Sequence, residues 1–294
     1  CNEITAEEVY REEQKIKHNI RALVNCIRKR VSEKTKPYVH LSATSNDIVS
    51  TAEAMRLRDV VVKVLIPDLY TLQKILITLT RREKNTVQVG RTHGQHANPI
   101  TFGFAMAEYV SRLGGRIEAL ETTATNLRGK CAGAVGAYNA STLFFPDPEV
   151  FEKAVLQKLD LKPATHATQI VEPEFAADVY HTITSTFGVL ANLADDMRHL
   201  QRSEIAEVAE EFKNAQVGSS TMPHKRNPIN FENVKSLWKA FMPRMTTMYL
   251  DQISEHQRDL TNSASSRFML ETVTALVAAV NRLTKVMERI VVDR

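Results

Sequence analysis

Apolar side chains recur at alternating spacings of three and four residues from Ser265 to the end of the chain, and this constrains the possible folds more than any other feature. Such alternation places the apolar groups along one side of an α-helix, as in helices that pack lengthwise. The repeat consists of Val273, Leu276, Val280, Leu283, Met287 and Ile290. We therefore predict a long helix that ends the chain.

Two further segments show similar helical spacing. In residues 47–82 the apolar positions are Leu57, Val61, Leu65, Leu69, Leu72, Leu76 and Leu79. In residues 174–200 they are Phe175, Val179, Ile183, Leu190, Leu193 and Met197. Pro67 interrupts the first segment and should kink it. Helices are also predicted over residues 5–34 and from Pro99 to about 128, and a short helix over 148–159. We find no convincing strand and no long internal repeat.

The long apolar stripes predict an oligomer. A helix of roughly 30 residues is about 45 Å long, and several such stripes cannot all be covered within a chain of 294 residues. We expect a long-helix bundle that buries its remaining stripes against other subunits. The alternative is a monomeric bundle with shorter, broken helices.

Composition excludes several classes of protein. The net charge is +4, but no run of Lys and Arg alternates with aromatic residues, so we predict no nucleic-acid partner. A modest positive excess also suits a small polyanionic substrate. No apolar run is long enough to span a bilayer, and the acidic N-terminus differs from a signal peptide. We therefore expect no membrane association.

Cysteine usage favours a reducing compartment, and we predict the cytoplasm. The cysteines are Cys1, Cys26 and Cys131, and no CxxC pair occurs. An odd count without paired spacing indicates neither a disulfide framework nor a zinc site. We predict no metal and no cofactor.

Three polar loops separate the predicted long helices. They are HLSATSND at 40–47, GRTHGQHANP at 90–99 and GSSTMPHKRNP at 218–228. Each interrupts a strong apolar pattern with small and ionisable residues, and loops on a rigid scaffold often hold catalytic groups. These loops are the candidate sites of chemistry.

The third loop has the residues of an anion site. Gly218 frees the backbone, and the small Ser219 and Ser220 leave N–H groups available for an anion. Lys225 adds a positive point charge, and the planar Arg226 suits a carboxylate or phosphate. The alternative is a helix cap beside a solvated Lys-Arg pair.

Histidines and arginines elsewhere in the chain are candidate functional residues, and each also has a simple structural explanation. His93 could exchange a proton, because imidazole changes charge near neutral pH, but a lone loop histidine is more often structural or solvated. The same holds for His18 and His40. Arg258, Ser263 and Arg267 lie close together before the last helix and would suit a phosphate; alternatively they form a capping cluster with solvated arginines.

The three loops together resemble a known family. GSSTMPHKRNP resembles the signature loop of the fumarase/aspartase superfamily, and the other two loops resemble its two other shared regions, in the same order. The combination of THGQHANP with MPHKRNP is similar to the adenylosuccinate lyase branch. DLTNSASSRF at 259–268 resembles the nucleotide-binding segment of that branch.

The resemblance implies a β-elimination. Members of this branch release fumarate from adenylosuccinate, giving AMP, and from the ribotide SAICAR, giving AICAR. Ser219 corresponds to the general base and His93 to the general acid. Lys225 corresponds to a group that holds the succinyl carboxylates, and Glu232 to one that orients His93 or Lys225. His18 matches a histidine that holds and polarises the substrate.

The resemblance also implies a set of substrate contacts. It assigns substrate binding to Thr44, Ser45, Thr92, Gln169, Ser220, Met222, Asn227, Arg258, Ser263 and Arg267. Two positions depart from the pattern of the family. Asn19 stands where Asp often follows the first histidine, and Ser42 stands where Gly is common.

The fold implied by the resemblance is all-α, a long-helix bundle of the fumarase/aspartase type. Residues 1–40 would be the remnant of an N-terminal helical domain and 41–294 the central domain, with the C-terminal helical domain absent. The central domain would form the twenty-helix core of a homotetramer whose active sites are shared between subunits. The expected partner is a succinylated purine nucleotide or its ribotide precursor. The alternatives are another fumarate-releasing lyase or cycloisomerase of the superfamily, or a helical oligomerisation scaffold without activity.

Overall fold

The computed structural model describes residues 3–212, 218–222 and 224–293; Cys1 and Pro223, mentioned above, lie outside them. The α-helices are α1 Ala6–Ile16, α2 Asn19–Arg28, α3 Ser45–Val60, α4 Ile66–Arg82, α5 Phe102–Thr125, α6 Pro148–Gln157, α7 Glu174–Leu200, α8 Ile229–Phe241, α9 Arg244–Leu250 and α10 Ser265–Glu288. The strands are β1 Val87–Thr92, β2 Gln95–Thr101, β3 Arg128–Gly129, β4 Lys162–Pro163, β5 Val208–Ala209 and β6 Val291–Val292.

The chain divides into two units, each with its own contacts. The first unit comprises residues 1–58, 126–176 and 252–261, and the second comprises 59–125, 177–251 and 262–294. Each unit is therefore assembled from segments that are distant in sequence.

The second unit is a bundle of long helices. Helix α4 packs along α5 and α10, and α10 also packs along α8. Hydrogen bonds join α7 to α5, among them the bond that the Tyr109 hydroxyl donates to Asp196. Within the apolar stripes predicted from the sequence, Leu57 to Leu79, Val179 to Met197 and Val273 to Ile290 are buried. The predicted long helices are thus confirmed.

Pro67 distorts its helix through a wide turn. Residues Val61–Leu65 form a π-helical turn immediately before α4. The N–H group of Ile66 bonds to the carbonyl of Val61, five residues earlier. Because proline has no N–H group and its ring crowds the preceding turn, the wider turn accommodates Pro67 without ending the helix.

The first unit begins with a helical hairpin, and the single helix predicted over residues 5–34 is wrong. Lys17 has a φ of 56° and ends α1. His18 then caps α2, its Nδ1 accepting the N–H of Arg21 at 3.3 Å. Ion pairing of Arg30 with Glu8 and of Lys29 with Glu12 holds the two helices antiparallel.

The sequence predicted no strands, and this prediction is also wrong. β1 and β2 pair antiparallel, with Thr92 opposite Gln95, so His93 and Gly94 alone form the turn. Both turn residues have positive φ, 55° and 72°, as the type I′ turn of a two-residue hairpin requires. Pro99 lies within β2, and α5 begins three residues beyond it, so the helix start predicted at Pro99 is wrong.

The remaining strands are two-residue pairs within a unit. In the first unit β3 pairs parallel with β4. In the second unit β5 pairs antiparallel with β6, which fastens the end of the chain to the segment that follows α7. None of the helices that the structure describes has the length and apolar character needed to cross a membrane.

Candidate functional site

The first unit brings two of the predicted binding segments together at the start of α3. The chain turns sharply before this helix, with positive φ at His40 (65°) and Ser42 (57°). Thr44 precedes the helix and Ser45 is its first residue; both are half-buried. Both residues therefore lie at a helix N-terminus, whose first N–H groups favour a nearby carboxylate.

Gln169 is held at the same place by Asn46. The amide nitrogen of Asn46 donates to Oε1 of Gln169 at 3.2 Å, across 123 residues of sequence. This hydrogen bond connects the loop 40–47 to the segment HATQIVEP at 166–173. The structure thus assembles Thr44, Ser45 and Gln169, which the sequence comparison assigned to substrate binding, into one group.

Asp47 is the structural anchor of this group. One carboxylate oxygen accepts the N–H of Thr44 at 2.7 Å. The other accepts the N–H of Ala132 at 3.2 Å and the ammonium of Lys130. Asp47 and Lys130 are both buried. Neither residue was selected from the sequence, because their association depends on a contact between segments 83 positions apart.

His18 is an exposed N-cap rather than a residue in the middle of a helix. Its Nδ1 is occupied by the Arg21 N–H, which leaves Nε2 as the free ring nitrogen. The exposed ring suits a contact with a ligand better than a place in the core. The assignment of His18 to substrate handling stays a prediction.

His40 is a candidate that sequence reasoning discounted as structural or solvated. Its Nδ1 is buried and has no hydrogen-bond partner among the described residues. Burial lowers the pKa of His40, Asp47 opposes this, and the positive charges of Arg21 and His18 lower it further. A neutral imidazole with an unpaired nitrogen, in the turn that leads into α3, can accept or donate one hydrogen bond. Its place in the HLSATSND string was the available sequence signal.

The depressed pKa of His40 predicts a pH-dependent stability. At a pH between the lowered pKa of His40 in the folded chain and its ordinary pKa of 6.5, the unfolded chain binds a proton that the folded chain does not. The free energy of unfolding should therefore fall as the pH drops from about 7.5 to about 5.5, and His40→Asn should reduce that fall. Urea unfolding at both pH values measures it. The exposed His166 of the same unit supplies the control, His166→Asn; an equal reduction there would contradict the assignment.

In the second unit the β1–β2 hairpin presents Thr92 and His93 at its tip. Both are exposed. The hairpin is anchored to the segment after α7 by Glu207, whose carboxylate accepts from Arg91 at 2.6 Å and from Gln88 at 2.8 Å. A hairpin anchored in this way presents the exposed imidazole of His93 to solvent at its turn.

The loop at 218–228 is folded back on itself. The Cβ position of Gly218 lies 1.7 Å from the carbonyl oxygen of Lys225, so only glycine fits there. The Asn227 amide donates to the Gly218 carbonyl at 3.2 Å. In this conformation Asn227 therefore closes the loop, and Lys225 is left exposed.

Ser219 has an environment that suits a base. Its Oγ accepts the N–H groups of Met222 at 3.3 Å and of Thr221 at 3.4 Å. Two N–H dipoles directed at one oxygen stabilise negative charge on it. Ser220 and Met222 are exposed beside it. This loop of the second unit therefore carries five of the predicted site residues: Ser219, Ser220, Met222, Lys225 and Asn227.

The C-terminal end of this loop is fixed by Glu210, which sequence reasoning missed. The buried carboxylate of Glu210 accepts the N–H groups of Asn230 at 2.9 Å and of Phe231 at 3.1 Å, in the first turn of α8. It also accepts from the Asn230 side chain at 2.6 Å. A carboxylate at a helix N-terminus satisfies free N–H groups and complements the helix dipole.

Glu232 lies on α8 and lines a cleft of about 330 Å³. The other lining residues are Arg198, Lys235, Ser236 and Lys239. Among the described residues, no hydrogen bond or ion pair joins Glu232 to Lys225 or to a histidine. The predicted orienting role of Glu232 is therefore not visible within one chain and stays a prediction.

The predicted phosphate contacts fall in both units. Arg258 belongs to the first unit, where it is half-buried and its Nε donates to the carbonyl of Asp259 at 3.1 Å. Ser263 and Arg267 belong to the second unit. Arg267 is exposed in the first turn of α10, while Ser263 is half-buried just before that helix.

Several known lyases are similar to this chain. A family model described as "Lyase" matches residues 4–240. The chain is 38% identical over 288 residues to an adenylosuccinate lyase of Pyrococcus abyssi, covering 98% of this chain and 62% of that protein. It is 34% identical over 282 residues to an adenylosuccinate lyase of Bacillus subtilis, covering 95% and 64%. The chain thus spans less than two thirds of the length of these relatives.

Two solved structures resemble the fold. The 3-carboxy-cis,cis-muconate lactonizing enzyme of Pseudomonas putida has a TM-score of 0.85 at 24% identity, covering 99% of this chain and 65% of that one. A fumarate lyase of Mesorhizobium sp. BNC1 has a TM-score of 0.83 at 21% identity, covering 98% and 64%. The predicted all-α, long-helix fold is confirmed; its assembly into a tetramer stays a prediction.

Proposed function

Because this chain belongs to the lyase family, we propose that it acts as an adenylosuccinate lyase. It would eliminate fumarate from adenylosuccinate to leave AMP, and from SAICAR to leave AICAR. The observation that carries the proposal is the similarity to proteins of that name, which extends over almost the whole chain and includes the three polar loops.

The proposed reaction removes two groups from neighbouring carbons. A base takes the proton from the carbon beside a carboxylate, the electron pair forms the C=C bond of fumarate, and the C–N bond breaks. An acid returns a proton to the departing nitrogen. We assign the base to Ser219 and the acid to His93. The pair of N–H groups at Ser219 Oγ supports the first assignment, since it stabilises the alkoxide.

The carboxylates of the succinyl group need fixed donors. In the first unit Thr44, Ser45 and Gln169 offer two hydroxyls and an amide at the N-terminal end of α3. In the second unit the exposed Lys225 offers an ammonium that is free to turn toward a ligand. Developing charge on the carboxylate is stabilised most by donors that are already oriented, which favours the group around α3.

The proposal includes a homotetramer with shared sites in the cytoplasm. Large apolar side chains remain exposed on the second unit, such as Phe104 (70%), Leu250 (64%) and Phe268 (51%), and burying them against another copy would be favourable. Glu232, which forms no hydrogen bond or ion pair with Lys225 or a histidine in the described part of its own chain, could act in the site of another copy. Free Cys26 and Cys131 fit a reducing compartment.

We expect the purified protein to release fumarate from adenylosuccinate, and the formation of AMP can be followed by absorbance. Light scattering should give a mass four times the 33.1 kDa of one chain. Argininosuccinate serves as the matched control substrate, since it also carries a succinyl group on nitrogen. Turnover of argininosuccinate without turnover of adenylosuccinate would contradict the substrate assignment, and a monomeric mass would contradict the assembly.

A further inference from the structure

Lys130 and Asp47 form a buried ion pair in the first unit. Their side chains are 0% and 2% exposed, and the Lys130 ammonium also donates to the carbonyl of Gly133 at 2.9 Å. Burying two charges is costly unless their hydrogen bonds are satisfied. A pair of this kind in the interior therefore calls for a structural or functional explanation.

The contacts of Asp47 connect the pair to Thr44 and Ser45, which are predicted to bind a carboxylate of the substrate. The same carboxylate that pairs with Lys130 accepts the N–H of Thr44. It also accepts the N–H groups of Ala132 and Gly133 at 3.2–3.3 Å. Asp47 thus joins the segment 130–133 to the turn that carries Thr44 and Ser45, and Lys130 fixes the position of the carboxylate.

The charge of the pair matters as much as its geometry. A succinyl group brings two negative charges, and a bare Asp47 close to Thr44 and Ser45 would repel them, because like charges a few ångströms apart interact strongly in a partly buried site. Lys130, itself fully buried, neutralises this carboxylate. The donors at the start of α3 then face the ligand without an opposing negative charge.

We propose that Lys130 is a positioning residue for the dicarboxylate part of the substrate, acting through Asp47. It holds the Thr44 backbone in place and cancels the charge of Asp47, without touching the ligand. The identity of the ligand rests on the proposed function. The link from Lys130 through Asp47 to Thr44 rests on the hydrogen bonds alone.

Glu152, on α6, offers a matched control. This buried carboxylate accepts the Cys131 N–H at 2.6 Å and the Tyr138 hydroxyl at 2.6 Å. Glu152 therefore secures the segment that contains Lys130, and among the described residues no hydrogen bond joins it to the turn at 40–47. Replacing Glu152 tests the effect of loosening this segment. Replacing Lys153, which is exposed on α6, tests the effect of losing a lysine.

The experiment measures inhibition by fumarate and by AMP in wild type, Lys130→Met, Glu152→Gln and Lys153→Met. We expect Lys130→Met to weaken inhibition by fumarate about tenfold or more, and inhibition by AMP less than about twofold. Glu152→Gln and Lys153→Met should change neither inhibition constant. Equal weakening in Lys130→Met and Glu152→Gln would show a merely structural role and overturn the proposal.

Hydrogen exchange supplies a readout that does not depend on activity. The Thr44 amide should exchange faster in Lys130→Met than in wild type and should be unchanged in Glu152→Gln. If Lys130→Met does not fold, Asp47→Asn, which keeps the side-chain shape and removes the negative charge, takes its place. It should leave inhibition by fumarate unweakened, because no carboxylate then opposes the ligand; a tenfold weakening would overturn the proposal. If the wild type binds no fumarate, the proposed function fails, and unchanged Thr44 exchange would independently overturn the linkage.

Discussion

Replacing Ser219 with alanine should lower kcat for adenylosuccinate roughly 10²- to 10⁴-fold, the usual contribution of a positioned proton-transfer group. The change removes the only side-chain oxygen at this position while the small methyl group fits the loop. KM should change only a few-fold, because the carboxylate contacts proposed for Thr44, Ser45 and Lys225 remain. Steady-state kinetics of the purified variant measures both constants.

The matched control is Ser203→Ala. Ser203 is an exposed serine in the turn that follows α7, and its loss should leave kcat and KM at the wild-type values. A Ser219→Ala protein with kcat within threefold of wild type would reject serine as the base. The N–H groups of Thr221 and Met222 would then bind the substrate rather than the alkoxide.

The long helices could be predicted from the sequence because burial alone determines their pattern. Leu276 and Leu283 face the interior of a bundle, and any neighbour that covers them selects the same spacing. The N-terminal hairpin could not be predicted in this way. Both α1 and α2 are amphipathic, and the break between them depends on a left-handed Lys17 and an imidazole cap, which is not among the usual capping side chains.

The β1–β2 hairpin was missed for a related reason. Gly90 and Pro99 weaken the strand pattern, and the alternation of Val87 and Val89 is too short to stand out. The strongest signal was His93-Gly94, which favours a tight turn only when strands flank it. The site was recognisable in part from its loops, but the contacts of Asn46 with Gln169 and of Asp47 with Lys130 join segments that only folding brings together.

Gly136 is the position in the first unit where a single methyl group should cost most. Its φ is +74°, and a Cβ there would lie 1.9 Å from the carbonyl oxygen of Ala167. Gly136→Ala should therefore incur about 1–2 kcal/mol for the left-handed conformation and about 1–3 kcal/mol more for overpacking. Because Ala167 lies two residues before Gln169, the displaced backbone should also raise KM for adenylosuccinate.

Gly133→Ala separates the two costs. Gly133 has a φ of +83°, but its nearest neighbour would be the Ser42 carbonyl oxygen at an ordinary 3.9 Å. This variant should incur only the conformational cost, about 1–2 kcal/mol, so urea unfolding should show Gly136→Ala to be the less stable of the two. Equal losses would mean that the Ala167 segment moves aside freely. In that case the contact between the loop at 133–136 and the segment before Gln169 does not hold the binding group in place.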